Sequence, residues 1–213
     1  MPRRRIILAA PLALGACTSL LPAQKYEPRT NWPLQPAPPA PAASAGNGPV
    51  LMIRPIAAAP GLDSRGLQSL AADGSLKVDY YNLWAVAPAD AVTQALLDWS
   101  QASGVFSAVV IPGSRVQPDL IVEGELTELL ADPGRREARA ALTLVFIKPA
   151  GTLAGTALPV AQTRLQATAP LQGDDPAAMA AAQNNALSGL LTQAMTQLER
   201  ASRDNAVAGM PGR

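Results

Sequence analysis

Residues 119–148 decide the fold of this chain, and they read DLIVEGELTELLADPGRREARAALTLVFIK. Apolar and polar side chains alternate through the first half of this stretch. One face carries Leu120, Val122, Leu126 and Leu130, and the other carries Glu123, Glu125 and Thr127. Alternation with a period of two predicts a strand that is buried on one face only.

The second half of the stretch repeats the pattern after a turn. Asp132-Pro133-Gly134 has the residues of a tight reversal, and residues 138–148 follow it. In that segment the alternating apolar positions are Ala140, Leu142, Leu144 and Phe146. The whole stretch therefore predicts an antiparallel pair of strands with one apolar face.

Two other segments have the period of an amphipathic helix. In residues 88–103 the positions i, i+3, i+4 and i+7 are Val92, Ala95, Leu96 and Trp99. Pro88 suits the first turn of this helix and Gly104 is placed to end it. A second, longer helix is predicted from the capped start Asp174-Asp175-Pro176 to about residue 200. Its apolar stripe consists of Met179, Ala182, Ala186, Leu190 and Ala194.

Short apolar runs predict four more strands, at residues 50–56, 77–84, 106–111 and 160–168. A turn at residues 151–155 separates the last strand from the one before it. The predicted order is β-β-α-β-β-β-β-α. Such an order most simply gives an α+β two-layer sandwich, with a mainly antiparallel sheet and two helices on one of its faces.

The N-terminus has the organisation of an export signal. Three arginines at positions 3–5 precede an apolar run at residues 6–14, and the small residues Gly15 and Ala16 follow. The sequence Leu14-Gly15-Ala16-Cys17 resembles a bacterial lipobox, in which the cysteine is acylated and becomes the first residue of the mature chain. We therefore predict a signal peptide at residues 1–16 and lipidation at Cys17. Since Thr18 follows the cysteine, the resemblance implies the outer membrane, with the protein facing the periplasm.

Residues 17–49 connect this anchor to the predicted domain, which covers residues 50–200 and is followed by a flexible tail at 201–213. Seven prolines and many alanines occur between Thr18 and Pro49. This composition predicts an extended tether that would reach on the order of 90–100 Å from the membrane. Tyr26 and Trp32 are its aromatic residues, and they either dock onto the domain or a partner or stay exposed.

Composition excludes several functions. The chain has no histidine and one cysteine, Cys17, so a Ser-His-Asp triad, a Cys-His pair and a thiolate metal cluster are excluded. No cofactor, metal site or catalytic residue is predicted, and the nearly balanced charge does not suggest nucleic acid as a partner. Glu123 and Glu125 form an acid pair on one strand face, which we interpret as a solvated face of the sheet.

Tyr80, Tyr81 and Trp84 contain much of the aromatic surface of the domain. Two interpretations are open. The rings pack the helices onto the sheet, or some of them form a partner-binding patch, because Tyr and Trp are enriched where interfaces concentrate binding energy. Strand alternation places Tyr80 and Trp84 on one face and Tyr81 on the other.

Several short motifs, none of them a catalytic signature, occur in the order and spacing of a known protein family. They include Leu62-Asp63-Ser64-Arg65, Tyr80-Tyr81-x-x-Trp84, Trp99-x-x-Ala102-Ser103-Gly104-x-Phe106 and Asp119-Leu120-x-Val122-x-Gly124-x-Leu126. Together with the lipobox they make the chain similar to the ABC-type transport auxiliary lipoproteins, the PqiC/YmbA-like group. Residues 66–74 depart from the pattern, since they are more polar and turn-rich than the strand expected there.

The resemblance implies an accessory lipoprotein of an intermembrane lipid transport system, docking to its MCE-domain protein and ABC permease rather than acting as an enzyme. Direct contact with phospholipid and a homo-oligomer are left open. The alternative function is a structural or assembly lipoprotein that anchors a cell-envelope complex and moves no lipid. An envelope hydrolase is a third hypothesis, and it would need a mechanism without histidine.

Overall fold

The computed structural model describes residues 26–42, 46–149 and 158–208. The signal peptide, Cys17 and the predicted turn at residues 151–155 lie outside the described residues. Within the described part, no helix is long and apolar enough to cross a membrane.

The described residues form two helices and nine strands. The helices are α1, Pro88–Ala102, and α2, Pro176–Ala208. The strands are β1 Thr30–Trp32, β2 Val50–Ile53, β3 Ala57–Ala58, β4 Gly66–Leu70, β5 Leu76–Trp84, β6 Ala108–Val110, β7 Leu120–Asp132, β8 Glu137–Lys148 and β9 Leu158–Pro170.

Strand β7 is the centre of the sheet. Strands β2, β3 and β4 lie parallel to it in succession, opposite residues 120–122, 125–126 and 131. Strand β6 pairs with the outer edge of β2. Strand β5 pairs with the outer edge of β4, and β1 pairs in turn with β5. Strand β8 pairs antiparallel with β7 and β9 pairs antiparallel with β8. The long antiparallel pairs confirm the hairpin that residues 119–148 predict.

Both helices start where the sequence predicts. Pro88 is the first residue of α1, and Gly104 adopts a φ of 67° directly after its C-terminal end. In α2 the Asp175 carboxylate accepts hydrogen bonds from the backbone amides of Ala177 and Ala178, each 3.0 Å long. This is the capping geometry that satisfies amides without a partner in the first helical turn. Helix α2 runs beyond residue 200, where Ala201 and Ser202 are buried.

One hydrophobic core lies between the sheet and the helices. From the sheet it takes alternate residues, including Val122, Leu142 and Leu165, and from the helices it takes residues such as Leu96 and Leu190. The helices therefore cover one face of the sheet, and the α+β sandwich is confirmed.

Strand β4 is the main difference from the predicted element order. Residues 66–70 read GLQSL, which lacks the β-branched and aromatic residues that favour strands. Pairing with β5 and β7 imposes the strand conformation there. The short strands β1 and β3 are also absent from the sequence prediction, because each depends on a neighbouring strand.

Candidate functional site

A segment of the predicted tether packs onto the domain, and we call residues 30–42 the strap. Its first part forms β1, parallel to residues 82–84 of β5. The Trp32 carbonyl oxygen accepts a 2.8 Å hydrogen bond from the Ala85 amide. The Trp32 indole N–H donates to Asn82 Oδ1 at 3.2 Å, and Arg65 donates to Asn31 Oδ1 at 2.9 Å.

The rest of the strap crosses both helices. Asn184 of α2 donates its side-chain amide to the Pro33 carbonyl oxygen at 2.9 Å and accepts from the Gln35 amide at 3.2 Å. Leu34 is only 2% exposed and belongs to the core. The Trp99 indole N–H of α1 donates to the Pro36 carbonyl oxygen at 3.2 Å. The strap is therefore part of the folded domain, and the chain leaves this domain at Arg29.

A bulge in β5 sets the positions of the predicted aromatic residues. Gln68 of β4 lies opposite Val78, but Gly66 lies opposite Leu83, so the four residues 79–82 lie opposite Leu67 alone and form a bulge. The Asp79 carboxylate holds this loop by accepting from the backbone amides of Tyr81 at 2.7 Å and Asn82 at 2.9 Å. A Cβ atom at Gly66 would collide with the Asp79 carbonyl oxygen, so this close approach requires glycine.

The bulge separates the three residues that the sequence groups together. Trp84 is 1% exposed and packs in the core, so it is not available to a partner. Tyr80 is 65% exposed and Tyr81 39% exposed. Their rings meet edge to face with centroids 5.1 Å apart. Packing into the core is thus confirmed for Trp84, whereas partner binding by the exposed Tyr80 and Tyr81 stays a prediction.

A cation lies over one ring of this pair, and a third tyrosine is close to that cation in sequence. The guanidinium carbon of Arg29 lies 4.1 Å from the centroid of the Tyr80 ring, a cation–π contact. Tyr26, three residues before Arg29, is 85% exposed. We call Tyr26, Arg29, Tyr80 and Tyr81 the tyrosine patch. Nothing in the sequence links Arg29 to Tyr80, because the contact depends on the docking of the strap.

The sheet face away from the helices is a second exposed surface. Its centre, which we call the open sheet face, consists of Glu123, Glu125, Thr143, Val145, Gln162 and Arg164. The register aligns Glu125, Thr143 and Arg164 in one row across three strands. Glu123 forms a 2.7 Å ion pair with Arg54, whose side chain is 47% exposed. The acid pair of the sequence analysis thus lies on a solvated, mixed-charge surface.

The edge of the sheet beside this face belongs to β9. In the described residues β9 pairs with β8 alone. Helix α2 packs against β9, and its Gln193 side-chain amide donates to the Gln166 carbonyl oxygen at 2.9 Å. Among the residues that the structure describes, no group of three acidic, histidine or cysteine side chains is arranged to hold a metal ion.

Comparisons with known proteins agree with this architecture. The family of ABC-type transport auxiliary lipoprotein components matches residues 32–195. Protein XCC0632 from Xanthomonas campestris has the same fold, with a TM-score of 0.67 at 19% identity over 83% of this chain and 99% of that one. A second solved structure, of an uncharacterized protein, has a TM-score of 0.59 at 13% identity over 81% of this chain and 99% of that one.

No curated protein matches the chain. At these identities the two solved structures establish the fold alone. The family match begins inside the strap, at residue 32, and extends into α2. It covers more than half of the sequence and both layers of the domain. The chain therefore belongs to the family of ABC-type transport auxiliary lipoprotein components.

Proposed function

We propose that this protein is a periplasmic accessory lipoprotein, anchored at Cys17, that docks onto the MCE-domain component of an ABC-type intermembrane lipid transport system. The observation that carries the proposal is the family match over residues 32–195. The proposed membrane is the outer one, because of the lipobox and Thr18. In this role the domain binds a protein partner and turns over no substrate.

The open sheet face is the surface we propose for the protein partner. It offers two carboxylates, a guanidinium and an amide, and transient protein–protein interfaces contain such mixed polar surfaces. Even the full length of strands β7, β8 and β9, taken as three strands about 4.8 Å apart and roughly 40 Å long, has an area on the order of 600 Å². A stable interface buries about 800 Å² on each partner, so more surface is needed.

The β9 edge supplies that additional surface. A partner strand can pair with an exposed edge through main-chain hydrogen bonds, while side-chain contacts on the adjacent face give specificity. Pro159 and Pro170 lie at the two ends of β9, where proline restricts pairing to the segment between them. We therefore place the partner against the edge and face that include Arg164.

Affinity capture of the full chain from native membranes, followed by mass spectrometry, tests this function. We expect recovery of an MCE-domain protein and its permease, and the lipids extracted from the same sample report the cargo. Arg164→Glu reverses a charge on the open sheet face and should reduce recovery. Asp98→Arg is the matched control, because it reverses an exposed charge on α1 and should leave recovery unchanged.

Two outcomes would overturn the proposal at different levels. Recovery of cell-wall or outer-membrane assembly proteins alone would favour the structural alternative, in which the lipoprotein holds an envelope complex and moves no lipid. Recovery of the transporter that responds equally to Arg164→Glu and Asp98→Arg would preserve the function but exclude the open sheet face as the docking surface.

A further inference from the structure

We infer that the tyrosine patch rests on the headgroup region of the phospholipid membrane that holds the lipid anchor. The inference relies on the proposed acylation of Cys17. It goes beyond docking to a protein partner, because it assigns a second surface and the orientation of the domain on its membrane.

The first step of the argument is the length of chain between anchor and domain. The strap begins at Thr30, so twelve residues, 18–29, separate Cys17 from the folded part. Fully extended in polyproline form they span about 37 Å, and as a flexible coil their root-mean-square span is about 20 Å. The domain therefore stays much closer to the membrane than a tether of residues 18–49 would allow.

The second step is the position of the exit point. The chain leaves the domain at Arg29, whose guanidinium lies over the ring of Tyr80. Tyr26 lies three residues before Arg29 in the sequence. The surface nearest to the anchor along the chain is therefore the tyrosine patch itself. A short linker therefore holds the domain close to the membrane with the tyrosine patch facing the bilayer.

The third step is the chemistry of the side chains. A tyrosine ring is apolar while its hydroxyl is polar, and tyrosines are enriched where a bilayer meets water for this reason. The chain has three tyrosines, and all three belong to the patch. Arg29 supplies guanidinium N–H donors suited to lipid phosphate oxygens.

Net charge does not drive this contact. In the same region of the sequence Lys25, Arg29 and Lys77 exceed Glu27 and Asp79 by a single positive charge, and the Asp79 carboxylate accepts hydrogen bonds from amides of the bulge. We therefore expect binding that depends weakly on salt. The acyl anchor gives the patch an effective concentration at the membrane surface on the order of millimolar. Weak binding of a few tyrosine rings is therefore enough to keep the patch on the membrane.

Nuclear magnetic resonance of the acylated mature protein, which begins at Cys17, tests the inference. The protein is labelled with ¹³C-tyrosine and with ¹³C-isoleucine and is placed in nanodiscs of phosphatidylethanolamine and phosphatidylglycerol. Spin-labelled phospholipid is then added. Because all three tyrosines belong to the patch, the tyrosine spectrum reports the patch alone. We expect the tyrosine ring signals to lose most of their intensity in the presence of the spin label, at low and at high salt.

Ile111 provides the internal control. It is 56% exposed and follows β6, at the level of residue 122 of β7. The bulge that carries Tyr80 and Tyr81 lies at the level of about residue 129. Seven residues of strand therefore separate Ile111 from the patch by about 23 Å along the sheet. Its signal should keep its intensity.

Each contrary result has a separate meaning. If mass spectrometry of the intact protein shows no acyl chains, the membrane anchoring on which this inference and the proposed function both rely is overturned. Tyrosine signals that keep their intensity in an acylated protein would overturn the membrane contact alone. Tyrosine signals that respond to added MCE-domain protein and not to spin-labelled lipid would assign the patch to that protein.

Discussion

Truncation of Leu34 to alanine measures how firmly the strap is held. Leu34 is 2% exposed and packs in the core, although composition assigns it to a tether. The substitution removes three carbons, worth about 0.8 kcal/mol each when buried. A residual cavity adds to this loss, while movement of the strap at the domain edge reduces it. We expect the free energy of unfolding to fall by about 2–3 kcal/mol.

Urea unfolding of the Cys17→Ser chain, followed by circular dichroism, is the assay. The urea midpoint should fall with little change in the slope, since the extent of unfolding is the same. In thermal unfolding we expect a midpoint lower by about 5–10 °C. Gln35→Ala is the control, because Gln35 is exposed and binds Asn184 through its backbone amide. That variant should stay within about 0.5 kcal/mol of the parent.

An unfolding curve of Leu34→Ala that superimposes on that of Gln35→Ala would refute this reasoning. The strap would then contribute nothing to stability, and the chain would be free up to residue 46 or beyond. The exit point would no longer lie beside Tyr80, so the inferred orientation on the membrane would lose its support.

Three further changes test other parts of the structure. Asn184→Ala removes both hydrogen bonds to the strap and should cost about 1–2 kcal/mol, with faster proteolytic cleavage within the strap as the readout. Gly124→Ala forces a Cβ atom against the Thr143 carbonyl oxygen and should lower the urea-derived stability by about 1–3 kcal/mol. The Ser75 hydroxyl donates to the Asp73 carboxylate at 2.6 Å, and this hydrogen bond lowers the Asp73 pKa. Ser75→Ala removes the hydroxyl, so the Asp73 pKa should rise toward its ordinary value in an NMR titration.

The elements that the sequence predicts well are long and carry a complete local pattern. Strand β8 alternates over more than ten residues, and α2 has a capping Asp175 followed by proline. Strand β7 alternates as far as Leu126, where a bulge brings Leu129 into the core in place of the predicted Leu130. In such segments propensity, periodicity and turn chemistry all favour one structure. Strand β4 has none of these signals. Its conformation comes from the strands on either side, β5, which follows directly in sequence, and β7, which lies far away in sequence.

The strap is unpredictable for a related reason. Its prolines and alanines resemble those of a flexible linker, and its attachment depends on carbonyl oxygens that are present at every residue. Leu34 supplies its apolar contact, and Asn184 and Trp99 supply donors from distant helices. A composition-based boundary therefore falls at residue 50, whereas packing begins near residue 30.

The bulge in β5 explains why strict alternation incorrectly places Tyr80 and Trp84 on the same face of the strand. Between Val78 and Leu83 the strand uses five steps where β4 uses two, so three extra residues are inserted. An odd number of extra residues exchanges the two faces of a strand. Trp84 consequently turns into the core, while Tyr80 stays exposed. A signal was present in Asp79, whose short carboxylate can bind amides two and three residues ahead. The same residue that interrupts the strand thus creates the exposed pair of rings that we place on the membrane.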